Sequence, residues 1–294
     1  MQFFILAGGY GTRLRPLSWV KPKPIFPFNG IPLINIILEQ LKNAGFKSGY
    51  INTHYLPDQI HHAIASSLEI EFPHEIELGG SAVLNRIDAT RFPYTLVING
   101  DIFLDIPVDT LYRKIKDSTA DVVLLTRPET EGNYSHLEID GDRYQGIKDK
   151  SENGGIMYSG VALFRSAVLK KIRDRSFFQT FHKQDFDIRV EKYNGIWLDI
   201  GSPELYHRAV FEYLRHRGIE NQANALSDYT FISPESTVSR SILWENVRIE
   251  GRSRVRNSIL MPNVIIRDRQ LSNKILTMTD NRLTEFDLSF KVSP

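Results

Sequence analysis

LAGGYGTRLRPLSWVKPKP (residues 6–24) follows the apolar start MQFFI and contains three glycines, two arginines, two lysines and no carboxylate. An apolar strand that runs into glycines is where a parallel α/β sheet places its ligand. Glycine lets backbone N–H groups approach a phosphate closely and reaches positive φ without strain. Arg13 and Arg15 bring planar forks that match phosphate oxygens, and Lys21 and Lys23 bring compact charges, the second held in a proline-stiffened KPKP. Four cations without an acid favour a polyphosphate site over a glycine turn with solvated charges. The pattern is not GxxxxGK[ST], and no third glycine completes a dinucleotide fingerprint.

The surrounding sequence supports an α/β context. Short apolar runs at 3–6, 49–52, 95–98, 121–125, 161–164 and 196–200 read as buried strands. Helical patterns lie between them. In PLINIILEQLKNAG, Pro32 suits a first turn, Leu33, Ile36, Ile37 and Leu41 share a face, and Gly45 suits the stop. Residues 57–68 and 107–117 read the same way. Alternating strands and helices predict a layered domain with a mainly parallel sheet.

Helical periodicity ends near Arg217. FISPESTVSRSILWENV (231–247) and RIEGRSRVRNSILMPNV (248–264) then align without gaps at eight of seventeen positions, including Ile232/Ile249, Ser236/Ser253, Val238/Val255, Ser241/Ser258 and Leu243/Leu260. The inward candidates Ile232, Val238, Leu243, Ile249, Val255, Leu260 and Ile266 are spaced six, five, six. Three short flats per turn are the pattern of a parallel β-helix of hexapeptide-like repeats, rather than of a β-sandwich tail. A third unit starts at Ile265 and decays, with Ile275 and Leu276 one residue early. The expected division is 1–225 and 226–294.

Composition narrows the function. With 36 Lys and Arg against 35 Asp and Glu, the net charge is +1, without the basic excess of a nucleic-acid binder. Cysteine is absent, which excludes disulfides, zinc–thiolate sites and thiol catalysis. No apolar run approaches the roughly 18 residues of a membrane span, and the start lacks a basic leader region, so the expectation is a cytoplasmic protein. The eight histidines form no metal motif. His54 reads as a satisfied structural histidine, His61 and His62 as a solvated pair, and Trp19 as packing.

The opening stretch resembles the signature of sugar-1-phosphate nucleotidyltransferases, LAxGxGTRLxPLTxxxPKP, with Ser18 in place of threonine and Lys21 as an extra cation. VINGDIFLD (97–105) and IWLDIGSPELYHRA (196–209) are similar to two further motifs of that family. ELGGSA (77–82) stands where the family has a base-contacting loop. Asp149 and Lys150 stand where it has Glu-Lys-Pro, with Ser151 for the proline. Ser135 replaces a glycine often found near the sugar.

The resemblance implies a three-layer, Rossmann-like α/β domain followed by a short left-handed parallel β-helix. It implies that Leu6, Ala7, Gly8, Gly9, Gly11, Thr12, Arg13, Lys23, Gly79, Gly80 and Asp101 bind the nucleotide, with Arg13, Lys23 and Asp101 catalytic. Asp149, Lys150, Ser159 and Gly160 would meet the sugar phosphate, and Asp101 and Asp199 would hold Mg²⁺. The implied reaction joins a nucleoside triphosphate to a sugar-1-phosphate, with GTP and mannose-1-phosphate as first choice. Other bases, other sugars (glucose, N-acetylmuramate, heptose), a non-catalytic nucleotide-sugar-binding subunit and an interaction module remain the alternatives. Neither nucleic acid nor membrane is an expected partner, and a homo-oligomer through the β-helix is. Arg15 and Lys21 have no assigned role.

Overall fold

A computed structural model describes the chain except residues 76, 130–133, 149–153, 184, 220–223 and 290–294, and the side chain of Lys183. The chain divides into two compact units, Met1–Gly9 with Ile37–Trp197, and Tyr10–Ile36 with Leu198–Pro294.

The first unit is built on a nine-stranded sheet. Its strands are β1 (Gln2–Leu6), β2 (Ser48–Asn52), β3 (Glu69–Glu71), β4 (Tyr94–Asn99), β5 (Val122–Glu129), β6 (His136–Asp140), β7 (Arg143–Lys148), β8 (Gly155–Arg165) and β9 (Ile188–Lys192). Their order is β3-β2-β1-β4-β8-β5-β9-β7-β6. The first four neighbours run parallel, β8 runs antiparallel to both β4 and β5, and β9 returns parallel to β5. Phe4, Val97, Leu124, Ala162 and Val190 share one buried cluster across the sheet.

Five of the six expected strands form in this sheet and several extend further, whereas the sixth, 196–200, shortens to Trp197–Asp199 and lies outside it. Helices α1 (Leu33–Asn43), α2 (Pro57–Ala63) and α3 (Val108–Lys116) occupy the connections. Helix α2 stops five residues before the expected end. Ile64 turns extended and the Ser66 hydroxyl accepts the Leu68 N–H at 3.2 Å, so a serine replaces the helical partner. Strands β3, β6, β7 and β9 were not legible because their charged, alternating residues lack a continuous apolar run.

In the second unit, helix α5 follows α4 (Phe177–Lys183) of the first and spans Pro203–His216. The Ser202 hydroxyl caps it by accepting the Leu205 N–H, and Pro203 opens it. Tyr206 of α5 donates to the Pro27 carbonyl at 2.7 Å and packs with Phe26, Phe28 and Trp244. Beyond it the repeats wind as parallel coils. Ile232, Ile249 and Ile266 stack, as do Val238, Val255 and Leu271, and Leu226, Leu243, Leu260 and Leu276. Parallel coils of this kind fit the parallel β-helix expected from the repeat and the left-handed one that the resemblance implies.

Matching serines explain part of the repeat. Ser236 Oγ accepts the Ser253 N–H, and Ser253 Oγ the Arg269 N–H; Ser241 and Ser258 form a second ladder. Corner residues adopt positive φ in columns, Tyr229, Asn246 and Asn263 in one, Arg240, Asn257 and Asn273 in a second, and Gly251 and Asp268 in a third. Asparagine tolerates that conformation better than other side chains. The third coil is a residue short at the Asp268 corner, so Ile275 and Leu276 pair with Ile259 and Leu260 at an offset of sixteen instead of seventeen. The hairpin Lys274–Thr279 to Arg282–Asp287 then turns through Asp280 and Asn281, both at positive φ, and ends the stack.

Candidate active site

The first unit carries Leu6, Ala7, Gly8, Gly9, Gly79, Gly80, Asp101, Ser159 and Gly160. Strand β1 ends at Leu6, and the Leu6 carbonyl accepts the Gly100 N–H at 2.9 Å, which sets the two loops after β1 and β4 side by side. Asp101 lies two residues past the end of β4 and is partly exposed. Ala7 N–H donates to Asn52 Oδ1 at 2.7 Å at the end of β2. Asn52 Nδ2 in turn donates to Glu75 Oε1, and Glu75 Oε2 accepts the Gly79 N–H at 2.8 Å. His54 Nδ1 bonds the Glu75 carbonyl at 2.7 Å, so the satisfied reading of His54 holds. Gly8 lies against this pair: a Cβ there would sit 2.8 Å from Asn52 Nδ2 and 3.2 Å from Glu75 Oε1.

Asn52 and Glu75 are therefore the residues that sequence reading missed. Glu75 is 1% exposed, and a carboxylate so buried persists only when its oxygens are bonded. The available signal was Glu75 itself, four residues before Gly79 and two before ELGGSA (77–82). The adjoining loop is pinned as well, since Ser81 N–H donates to the Arg175 carbonyl at 2.8 Å. His61 and His62 are exposed, as expected, and the His61 ring lies tilted against Phe72 with centroids 4.3 Å apart.

Ser159 and Gly160 form a bulge in β8. Tyr158 pairs with Thr126 and Ala162 with Leu124, so the intervening residues of β8 leave the ladder, with Gly160 at φ +90°. Bulges of this kind re-aim backbone groups beside active sites. Here the Ser159 carbonyl accepts Trp197 Nε1–H at 2.8 Å. Beside it, burial and the Asp105 carboxylate push the Tyr193 hydroxyl up to about 12, while the Arg127 charge opposes them. Asp149 and Lys150 lie outside the described residues.

The second unit carries Gly11, Thr12, Arg13, Lys23 and Asp199. Gly11 at φ +63° opens the short turn Thr12–Leu14, and its carbonyl accepts Ser18 Oγ–H at 2.7 Å. The serine thus keeps the hydroxyl that the family's threonine would supply. A Cβ on Gly11 would lie 2.9 Å from Lys23 Cγ, so the glycine makes room for the lysine stem. Leu14 and Leu17 are fully buried and anchor the segment, leaving Arg13 and Arg15 exposed. Lys21 has a partner after all, Glu245 Oε1 at 2.7 Å in the β-helix. Trp19 packs edge-on to Phe286 at 5.7 Å, as expected of a packing residue. Asp199 and Arg13 converge on the turn at Gly201, where a Cβ would meet Asp199 Oδ2 at 2.8 Å and Arg13 Nη2 at 3.4 Å.

Among the described residues no three His, Cys, Asp or Glu side chains converge as a ready-made metal cage. Mg²⁺ needs none, because it takes one or two carboxylates and fills its shell with water and phosphate oxygens. Asp101 in the first unit and Asp199 in the second are each a partly exposed hard-oxygen donor of the kind Mg²⁺ takes. No helix among the described residues is long and apolar enough to cross a membrane.

Comparison with known proteins agrees with this organisation. Residues 3–216 match the family described as Nucleotidyl transferase, and residues 209–280 match the GlmU-like, C-terminal hexapeptide family. A Sulfolobus acidocaldarius protein whose name proposes mannose-1-phosphate guanyltransferase activity is 30% identical over 87% of this chain and 74% of its own length. The mannose-1-phosphate guanyltransferase of Aspergillus fumigatus is 30% identical over 69% of this chain, which spans 62% of that protein. The mannose-1-phosphate guanylyltransferase catalytic subunit beta of Danio rerio is 26% identical over 73% of this chain, which spans 65% of it. HddC from Yersinia pseudotuberculosis, solved in complex with GMP-PN, shares the fold with a TM-score of 0.63 and 24% identity, over 72% of this chain and 99% of its own. The protein belongs to the nucleotidyl transferase family and carries a GlmU-like hexapeptide region at its carboxyl-terminal end.

Proposed function

We propose that the protein transfers a nucleotidyl group from a nucleoside triphosphate to a sugar-1-phosphate and releases pyrophosphate, with GTP and mannose-1-phosphate as the pair. The observation that carries this reading is the glycine-rich, acid-free loop. The Asn52–Glu75 pair leaves room at Gly8 for no side chain, and Gly11 leaves Lys23 its path. The names of the relatives support the choice of base and sugar.

The chemistry asks little of a general base. A phosphate monoester with a second pKa near 6 is already largely a dianion at neutral pH. The obstacle is charge: two unit charges 4 Å apart interact by about 4 kcal/mol at an effective dielectric near 20. Arg13 and Lys23 neutralise the leaving pyrophosphate, and the backbone from Leu6 to Gly9, with Gly11 and Thr12, receives the triphosphate. Gly79 and Gly80 border the base, Asp149 and Ser159 with Gly160 border the sugar, and Lys150 holds the acceptor phosphate. Asp101 and Asp199 hold Mg²⁺, which when bound neutralises phosphate oxygens.

The division into a catalytic domain 1–225 and a β-helix 226–294, a cytoplasmic setting and self-association through the β-helix belong to the same reading. Outward Phe231 and Ile265, 42% and 54% exposed on the coils either side of Arg248, support the last. A thermal-shift screen of the common triphosphates with Mg²⁺, then of sugar-1-phosphates with the best of them, tests the proposal. Ligand at a hundred times its Kd stabilises by roughly 2.7 kcal/mol. GTP is expected to give the largest shift, and no shift with any triphosphate would contradict the reading.

A further inference from the structure

We propose that Arg127, laid over the ring of Trp197, is a cation that receives the phosphate of the acceptor sugar phosphate. The inference rests on the nucleotidyl-transfer reading and adds a residue that no motif marks. Arg127 lies on β5, in register with Met157 of β8, just before the bulge at Ser159 and Gly160. Its guanidinium carbon stands 4.5 Å from the centroid of Trp197. Trp197 is fixed in turn, by its Nε1–H donating to the Ser159 carbonyl at 2.8 Å and by Tyr134 meeting its ring edge-on at 5.6 Å. Gly160, next to Ser159, is packed so closely that a Cβ would lie 3.1 Å from Asn99 Nδ2, two residues before Asp101. Arg127, Trp197, the bulge and the Asp101 loop thus form one continuous set of contacts within the first unit.

The way Arg127 is held sets it apart from other cations of the first unit. Arg189 is tied to Asp187 and Asp142, Lys114 to Asp142 and Glu191, Lys148 to Glu138, and Arg91 to Glu69 and Glu71. Arg165 is turned inward to the carbonyls of Ile115, Ser118 and Ala120. For Arg127 the described residues supply an aromatic face and no carboxylate within ion-pair distance. A guanidinium stacked on indole keeps its in-plane N–H donors available for a second partner, and its fork matches two phosphate oxygens. A dianion at this place is met by a positive charge whose position is set by the ring beneath it.

The test uses the full chain with Arg127→Gln and Arg127→Lys. With GTP and mannose-1-phosphate, R127Q is expected to raise KM for the sugar phosphate at least tenfold while KM for GTP changes less than twofold, and R127K is expected to recover part of the loss. A sugar-phosphate KM within twofold of wild type in R127Q, or an equal rise in both KM values, would overturn the inference and leave nucleotidyl transfer standing. Should the wild type release no pyrophosphate with any substrate pair, the functional reading falls by itself. Inorganic phosphate titrated against tryptophan emission, with Trp197→Phe as control, then decides: a phosphate-dependent change lost in both R127Q and Trp197→Phe sustains the anion site, and an unaltered or absent change removes it.

Discussion

The carboxyl-terminal coils and the glycine edge of the nine-stranded sheet solve opposite problems. In the coils the same contact recurs at each turn, aliphatic on aliphatic inside and serine to backbone at the corners. At the glycine edge each contact occurs once. Glu75 alone joins Asn52, and through it Ala7, to Gly79. A repeated contact spreads a defect over neighbouring coils, whereas a unique polar link transmits it to every segment it holds. Stability in the first region is thus close to a sum, while positioning in the second depends on single groups.

The comparison breaks most readily under core truncation. Leu260→Ala removes a fully buried side chain between Leu243 and Leu276 and is expected to cost 2–5 kcal/mol, roughly, by denaturant unfolding, with the triphosphate Kd unchanged. A change in Kd comparable to that of a site variant would show that the two regions are not separate in this sense. Glu75→Gln should behave in the opposite way. It replaces one acceptor oxygen by an amide donor that faces another donor, which costs about 1–3 kcal/mol for the unpaired group, and it should weaken triphosphate binding at least fivefold in a titration. Triphosphate affinity within twofold of wild type would deny Glu75 a positioning role.

His207 sharpens the contrast within the second unit, because it joins α5 to the Arg240 corner. Its Nε2 lies 2.8 Å from the Arg240 carbonyl, and burial lowers its pKa from 6.5 to about 4. The unfolded chain therefore binds the extra proton between those values. The stabilisation is complete above pH 6.5 and is lost as pH falls toward 4, at up to about 1.4 kcal/mol per pH unit. His207→Gln should flatten the wild-type fall in Tm between pH 7 and 5; an identical fall in both would assign it to other groups. The smallest effect is expected at a corner. Asn263→Ala, at φ +62°, should lower stability by about 1 kcal/mol, measured by thermal unfolding, and by much less in catalysis.

The same contrast explains what was legible in the sequence. Periodicity reported the coils down to their inward residues, and even the early arrival of Ile275 and Leu276, because one physical rule is applied turn after turn. The opening loop was legible for another reason, its density of glycine and cation. Asn52, Glu75 and Arg127 were not, because their partners lie 45, 23 or 70 residues away in the chain and a lone Asn, Glu or Arg carries no local pattern. Lys21 is a similar case, since its partner Glu245 belongs to a different element of the second unit. Strands with charged alternation, such as β7 and β9, escaped because their burial depends on sheet neighbours rather than on composition.

The central claim is nucleotidyl transfer through Asp101 and Lys23, and pyrophosphate release from GTP and mannose-1-phosphate with Mg²⁺ tests it most directly. The wild type should release pyrophosphate only when both substrates are present, and Asp101→Asn or Lys23→Ala should lower kcat by two or more orders of magnitude, about 3 kcal/mol, with unfolding unchanged. Near-normal turnover in either variant would contradict the account.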